Sequence, residues 1–265
     1  MFIRAAKSLS FSLLLVCCIS GLAQNVPQMA ADAHPSFEVA TIKISNPNEQ
    51  GLGFRLSGER LLAVHATLFD VIKWAYGLQA KQLQGLPEWA LVQRWDIEGK
   101  PDVPGSPNRE QAREMMRKLL TDRFQLQFHM EKQTMAVYRL ELMSGPLRLI
   151  KSTSGEPIPA MGFLDPGLLL ARNATMDELA SLMQERLLDR PVANKTGLTG
   201  RYDLAVDFEP LTPQNDTAGQ GLPAMASQRS DLFTALQEQL GLRLLPEKDE
   251  VNVLTVDKAE KPSAN

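Results

Sequence analysis

The sequence predicts an α+β protein made of two related modules, and three observations carry that expectation. The first is a recurring pattern. Leu62-Ala63-Val64-His65-Ala66-Thr67-Leu68-Phe69-Asp70 has Leu, Ala, Ala and Thr at the same offsets as Leu170-Ala171-Arg172-Asn173-Ala174-Thr175-Met176-Asp177-Glu178. The second is that alternating, strand-like segments follow each copy, Arg94-Trp95-Asp96-Ile97-Glu98 in one and Arg201-Tyr202-Asp203-Leu204-Ala205 in the other. The third is that Glu-Lys recurs between two apolar runs near each module's end, at Glu131-Lys132 and Glu247-Lys248. An internal duplication accounts for all three, each copy reading strand, helix, strand, helix, hairpin.

Thr67 and Thr175 each precede a carboxylate by three residues, Asp70 and Glu178, which is the signature of a capped helix start. Apolar residues then return at helical spacing, as Leu68, Val71, Ile72 and Ala75 and as Met176, Leu179, Leu182 and Met183. A second helix is expected over 110–124, with Ala112, Met115, Met116, Leu119 and Leu120 inward. Its counterpart is expected over 231–240, with Leu232, Phe233, Leu236 and Leu240 inward. The charges from Arg109 to Arg123 alternate in sign and read as a solvated helix face. After each of these helices a hairpin is expected. It turns at Glu131-Lys132 in the first module and at Glu247-Lys248 in the second.

Segments rich in Pro, Gly and Ser divide the chain. The resulting organisation is a leader over 1–23, a flexible lead-in over 24–35, a first module over 36–151, a linker over 152–167, a second module over 168–258 and a flexible tail over 259–265. The leader has a basic start (Arg4, Lys7), an apolar run from Leu9 to Leu22 and the small-residue ending Gly21-Leu22-Ala23, the pattern of a secretory signal. Cleavage after Ala23 is the expectation, with a secreted or periplasmic destination. Lipidation at Cys17 or Cys18 is the alternative, although Leu14-Leu15-Val16 lacks the small residue that such processing favours. Both cysteines fall in the leader, so disulfide and thiol chemistry are not expected in the mature chain.

Without Arg4 and Lys7 the 28 basic residues become 26 against 31 acidic, a balance of −5, which argues against nucleic acid as a partner. No complete catalytic constellation is evident. Lys195-Thr196-Gly197 lacks a Ser-x-x-Lys partner and reads as a glycine-bearing turn before the Tyr202 strand. His34, His65 and His129 lack metal-ligand spacing, with His129 expected in a turn, so neither a metal nor a cofactor is expected. Strand carboxylates Asp96, Glu98, Asp203 and Asp207 are the candidates for acid–base chemistry. Trp74, Tyr76, Trp89 and Trp95 cluster within 22 residues, and Trp74, Tyr76 and Trp89 are the candidates for a partner surface, against a reading as core.

Two resemblances add to this reading. Asn173-Ala174-Thr175-Met176-Asp177-Glu178-Leu179, Arg190-Pro191-Val192, Leu198-Thr199-Gly200-Arg201-Tyr202 and the stretch from Leu236 to Leu242 resemble the short N-terminal module of secretins and TonB-dependent receptors. That likeness implies a docking role without chemistry, and the first module looks similar. More specifically, nearly the whole mature chain resembles a family of uncharacterised secreted soil-bacterial proteins, a domain of unknown function sometimes joined to membrane sensors. The residues carrying this second match are Phe37-Glu38-Val39-Ala40-Thr41-Ile42-Lys43, Trp74-Ala75-Tyr76-Gly77, Leu119-Leu120-Thr121-Asp122-Arg123-Phe124, Lys195 through Asp203 and Phe233 through Leu242. The expectation is an exported, non-catalytic interaction or sensing protein of the cell envelope. The alternatives are a secreted hydrolase using strand carboxylates and a soluble partner of a membrane sensor.

Overall fold

A computed structural model describes residues 27–48, 51–154, 159–210 and 229–262. Among them the chain forms twelve strands and five α-helices in three four-stranded sheets. The expected leader lies outside the described residues, as do 211–228 of the expected second module and the last three residues of the expected tail.

The first unit opens with β1 (Phe37–Ile44), β2 (Gly53–Ser57) and β3 (Arg60–Thr67), then α1 (Leu68–Tyr76), a 3-10 turn (Ala80–Gln82), β4 (Leu83–Gln84) and α2 (Trp89–Val92). It continues with β5 (Arg94–Pro101), α3 (Arg109–Phe124) and β6 (Gln127–Leu142). β1, β5, β3 and β2 lie side by side in that order, all antiparallel. α1 starts where expected: the Thr67 hydroxyl accepts from the Asp70 N–H while the Asp70 carboxylate accepts from the Thr67 N–H. It stops at Gly77, whose φ of 64° is a left-handed conformation that glycine adopts without strain. α3 has a comparable start, with Asn108 and Gln111 exchanging bonds. Leu68, Val71, Ile72, Met116, Leu120 and Phe124 from the two helices meet Leu61, Trp95 and Ile97 of the sheet in one buried core.

The second unit comprises β7 (Ile150–Lys151), β8 (Ala160–Asp165), β9 (Leu168–Ala174), α4 (Met176–Arg186), β10 (Val192–Asn194) and β11 (Tyr202–Asp207). It ends with α5 (Leu232–Ala235), which runs into a π-helical turn (Leu236–Leu240), and β12 (Leu242–Lys258). Strand order in its sheet is β7-β11-β9-β8, again antiparallel. Thr175 and Glu178 repeat the capping box on α4. Met176, Leu179, Met183, Leu204, Val206, Phe208 and Leu236 build a second core. Thr67→Ala and Thr175→Ala each remove a hydroxyl that holds a first-turn N–H. We expect each to lower stability by about 1 kcal/mol in urea unfolding.

The expected hairpins are not formed. β6 and β12 are single long strands that run straight through Glu131-Lys132 and Glu247-Lys248 and pair with each other, from Leu142 opposite Leu242 to Gln127 opposite Lys258. Neither Glu-Lys pair offers the positive-φ residues that a tight hairpin turn requires, so each strand continues. His129, expected in a turn, therefore lies within β6, where its ring meets Asp257 at 2.9 Å. A third sheet results, ordered β10-β6-β12-β4, in which the short outer strands run parallel to their neighbours. β4 approaches β12 closely enough that a Cβ on Gly85 would stand 2.5 Å from the Val256 carbonyl.

Two segments read as connections carry structure. Within 152–167, residues Ala160–Asp165 form β8. From Pro27 to Pro35 the lead-in docks on α3: Met29 is buried, its N–H reaches the Ser106 carbonyl at 2.9 Å, and the Gln111 amide donates to the Ala30 carbonyl at 2.6 Å.

Candidate functional site

The strand carboxylates fall on separate sheets, Asp96 and Glu98 on β5 and Asp203 and Asp207 on β11. Asp96 and Asp203 have matching structural duties. His65 and Asn173 each sit at a bulge with φ of 53°, which turns their backbone groups out of the ladder. Asp96 accepts from the His65 N–H and Asp203 from the Asn173 N–H, each at 2.8 Å. Arg94 donates to the His65 carbonyl at 2.9 Å, and Arg201 to the Asn173 carbonyl at 2.6 Å. The Arg-aromatic-Asp triplet is thus a clamp on a kinked residue, with the middle residue, Trp95 or Tyr202, buried in its unit's core. Glu98 pairs with Arg60 and Asp207 with Arg229.

The Asn173 N–H, followed by the Ser152 hydroxyl, holds the Asp203 carboxyl below the usual carboxylate range. The Lys195 ammonium, seconded by the Glu250 N–H, does the same for Asp249. A carboxyl depressed in the folded state contributes stability above its unfolded pKa of ~4, and that contribution is lost as pH falls through the folded value. Asp203→Asn and Asp249→Asn are therefore expected to flatten the acid limb of the stability profile, read as the urea midpoint from pH 6 downward. An unchanged limb would contradict the assignment.

The aromatic candidates pack against the first core and are engaged there. Trp74 stacks on Phe54, with ring centroids 4.9 Å apart and planes 2° from parallel, and the Arg113 guanidinium lies 6.0 Å from the Trp74 ring. Tyr76 meets Phe128 edge-on at 5.1 Å with Arg117 5.9 Å from its ring, and burial pushes its hydroxyl up. Lys261 of the C-terminal segment lies 5.8 Å from the Trp89 ring. Lys195-Thr196-Gly197 forms a turn, with Gly197 at φ of 71° and the Thr196 N–H donating to Asn194.

A concavity lies elsewhere among the described residues, between the two units. A cleft of about 440 Å³ opens between the first half of α3 and α4, with Arg109, Glu110 and Arg113 on one wall, Asp177, Glu178, Ser181 and Glu185 on the other, and Pro159, Met161 and Leu182 as its apolar lining. Glu185 forms a bridge across it. One carboxylate oxygen meets Arg109 at 2.6 Å and the other meets Arg113 at 2.5 Å, where the two side chains are only 11% and 14% exposed. Burial pulls the Arg109 guanidinium down, opposed by Glu185. The remaining carboxylates are also engaged: Glu110 with Arg117, Asp177 with the Asn194 amide, and Glu178 with the Thr175 N–H and Arg201. Beside the cleft, the Gln184 amide donates to the Gly77 carbonyl at 2.8 Å, and the Gln79 amide reaches back to the Gln184 and Leu188 carbonyls.

This junction was absent from the sequence-based expectation, which placed Arg113 on a solvated face. The signal was present in the spacing. Arg113 falls between Ala112 and Met116 on the inward stripe, four residues after Arg109. Among the described residues no cluster of three or more His, Cys, Asp or Glu could hold a metal ion, and no helix is long and apolar enough to cross a membrane.

Comparison with known families gives a match over most of the chain. Residues 69–259 fit the family described as a protein of unknown function, DUF3738. The chain belongs to that family. The DUF3738 match begins within α1 and ends just after β12, so it includes both helices that wall the cleft, in agreement with the resemblance read from the sequence. Neither a curated protein nor a solved structure matches the DUF3738 chain.

Proposed function

We propose that this DUF3738 protein is an exported, non-catalytic interaction or sensing protein of the cell envelope, built from two copies of one α+β unit with its binding site in the cleft between them. The observation that carries the reading is the state of the cleft's charged groups. Its four carboxylates and both arginines already hold partners, so the walls are pre-organised for a guest. Pre-organised polar groups beside apolar lining are what binding requires, because little ordering remains to be done when the guest arrives. The duplication is supported by the paired capping boxes, the paired Arg-aromatic-Asp clamps and the paired φ of 53° at His65 and Asn173.

The hydrolase alternative is weakened by the duties of Asp96 and Asp203, which lie on different sheets and hold backbone groups. The test is a panel of glycan, peptide and ester compounds scored for both thermal shift and turnover. The expected outcome is a shift in Tm with one compound class, abolished by Ser181→Trp, which fills the cleft. Multiple-turnover hydrolysis that disappears in Asp203→Asn would overturn the reading.

A further inference from the structure

β6 and β12 do more than join the units: each begins in the core of its own unit and ends in the core of the other. Leu126, just before β6, and Phe128, at its start, pack in the first core, whereas Tyr138 and Leu140, farther along, pack in the second. β12 does the reverse, with Leu242 and Leu244 in the second core and Leu254 and Val256 in the first. The residues between, Met130–Ala136 and Leu245–Asn252, belong to neither core.

The exchange is reciprocal to the residue. Seven residues after Glu131, Tyr138 lies beside Val192 of β10; seven residues after Glu247, Leu254 lies beside Leu83 of β4. Each unit's short strand after its first helix therefore receives the other unit's long strand, in the same parallel sense and at the same place. Thr134 and Glu250, each three residues past those glutamates, face each other at the centre of the ribbon.

We propose that the two units are strand-exchanged: in each, the groove beside the short parallel strand is built for the second arm of the unit's own hairpin and is filled instead by the arm of the other. This rests on reading the units as copies of one module. The arrangement has the form of a domain swap within one chain, in which exchanged and closed forms share nearly all contacts and differ at the hinge. The hinges are the Glu-Lys pairs, whose residues disfavour the positive φ of a two-residue turn and favour extended backbone. Each unit is thereby an acceptor for a strand of its own kind, and the partner that fits it is another copy of the same module.

The test uses the whole chain with a protease recognition sequence inserted after Gly145, in the exposed connection between β6 and β7. After cleavage the two pieces are expected to co-elute in size exclusion and to part only on unfolding. In a second form, four flexible residues are inserted into each Glu-Lys hinge, since a longer hinge lets a swapped arm fold back. The cut pieces of that form are expected to part under native conditions, each keeping its far-UV circular dichroism. E131N/K132G with E247N/K248G, which supplies hairpin-turn residues without lengthening the chain, is expected to do the same should the insertions not fold. Unmodified pieces that separate while folded would overturn the exchange. Hinge-altered pieces that stay together while folded, also when Glu185→Ala removes the ion pairs across the cleft, would show copies whose long strands were never hairpin arms, which overturns the exchange and leaves the duplication standing.

Discussion

Glu185→Ala is expected to lower the stability of the chain by about 3–5 kcal/mol, the range for removing one partner of a buried ion pair. Arg113 is the reason. Its guanidinium lies near the Trp74 ring, and a Cβ on Gly77 would stand only 3.5 Å from its Nη1, so little room is left for water to replace the lost carboxylate. Arg109 is more exposed and can rehydrate, so most of the loss is assigned to Arg113. The double variant Arg113→Met/Glu185→Leu is expected to recover much of it, since apolar groups of similar volume remove the desolvation cost along with the attraction. Urea unfolding of the wild type, Arg113→Met, Glu185→Leu and the double variant gives the coupling directly. A loss for Glu185→Ala below about 1 kcal/mol would put the pair with ordinary surface ion pairs and remove it as the lock between units.

That lock was hard to read in advance because it joins residues far apart in sequence whose local surroundings look solvated. Local grammar was legible. Thr67 with Asp70 and Thr175 with Glu178 announced two helices that start where their capping boxes stand. The apolar spacing of α3 identified its buried stripe, although it did not show that Arg113 shares that stripe. The likeness of Arg94-Trp95-Asp96 to Arg201-Tyr202-Asp203 was visible, yet its meaning depended on the bulges at His65 and Asn173, which no spacing rule announces. Alternation located the strands at the chain's two Glu-Lys pairs but could not say whether each strand turned back or ran on. A hairpin arm and an exchanged arm bury the same residues, so they leave the same pattern in the sequence. The cleft followed from how the units meet, a relation between Arg109, Arg113 and Glu185 that belongs to tertiary structure alone.

Phe124→Ala is expected to cost a further-reaching 3–5 kcal/mol, roughly the range for truncating a buried aromatic. The Phe124 ring is fully buried, stands edge-on to Trp95 at 5.9 Å, and belongs to the core that also holds Leu254 and Val256 of β12. Because β12 carries Leu242 and Leu244 into the other core, the first core cannot open without freeing a strand on which the second depends. The consequence is a single unfolding transition in which damage to one unit is felt by both. Tryptophan distribution makes this measurable. Trp74, Trp89 and Trp95 are the chain's three tryptophans and all lie in the first unit, so their fluorescence reports that unit alone, whereas far-UV circular dichroism reports both. In Phe124→Ala the two signals are expected to move to lower urea together and to remain superimposable. Should fluorescence fall first while much of the dichroism persists, the units would be thermodynamically separable. The ribbon of β6 and β12 would then be a tether between two independent cores, no longer a shared part of both.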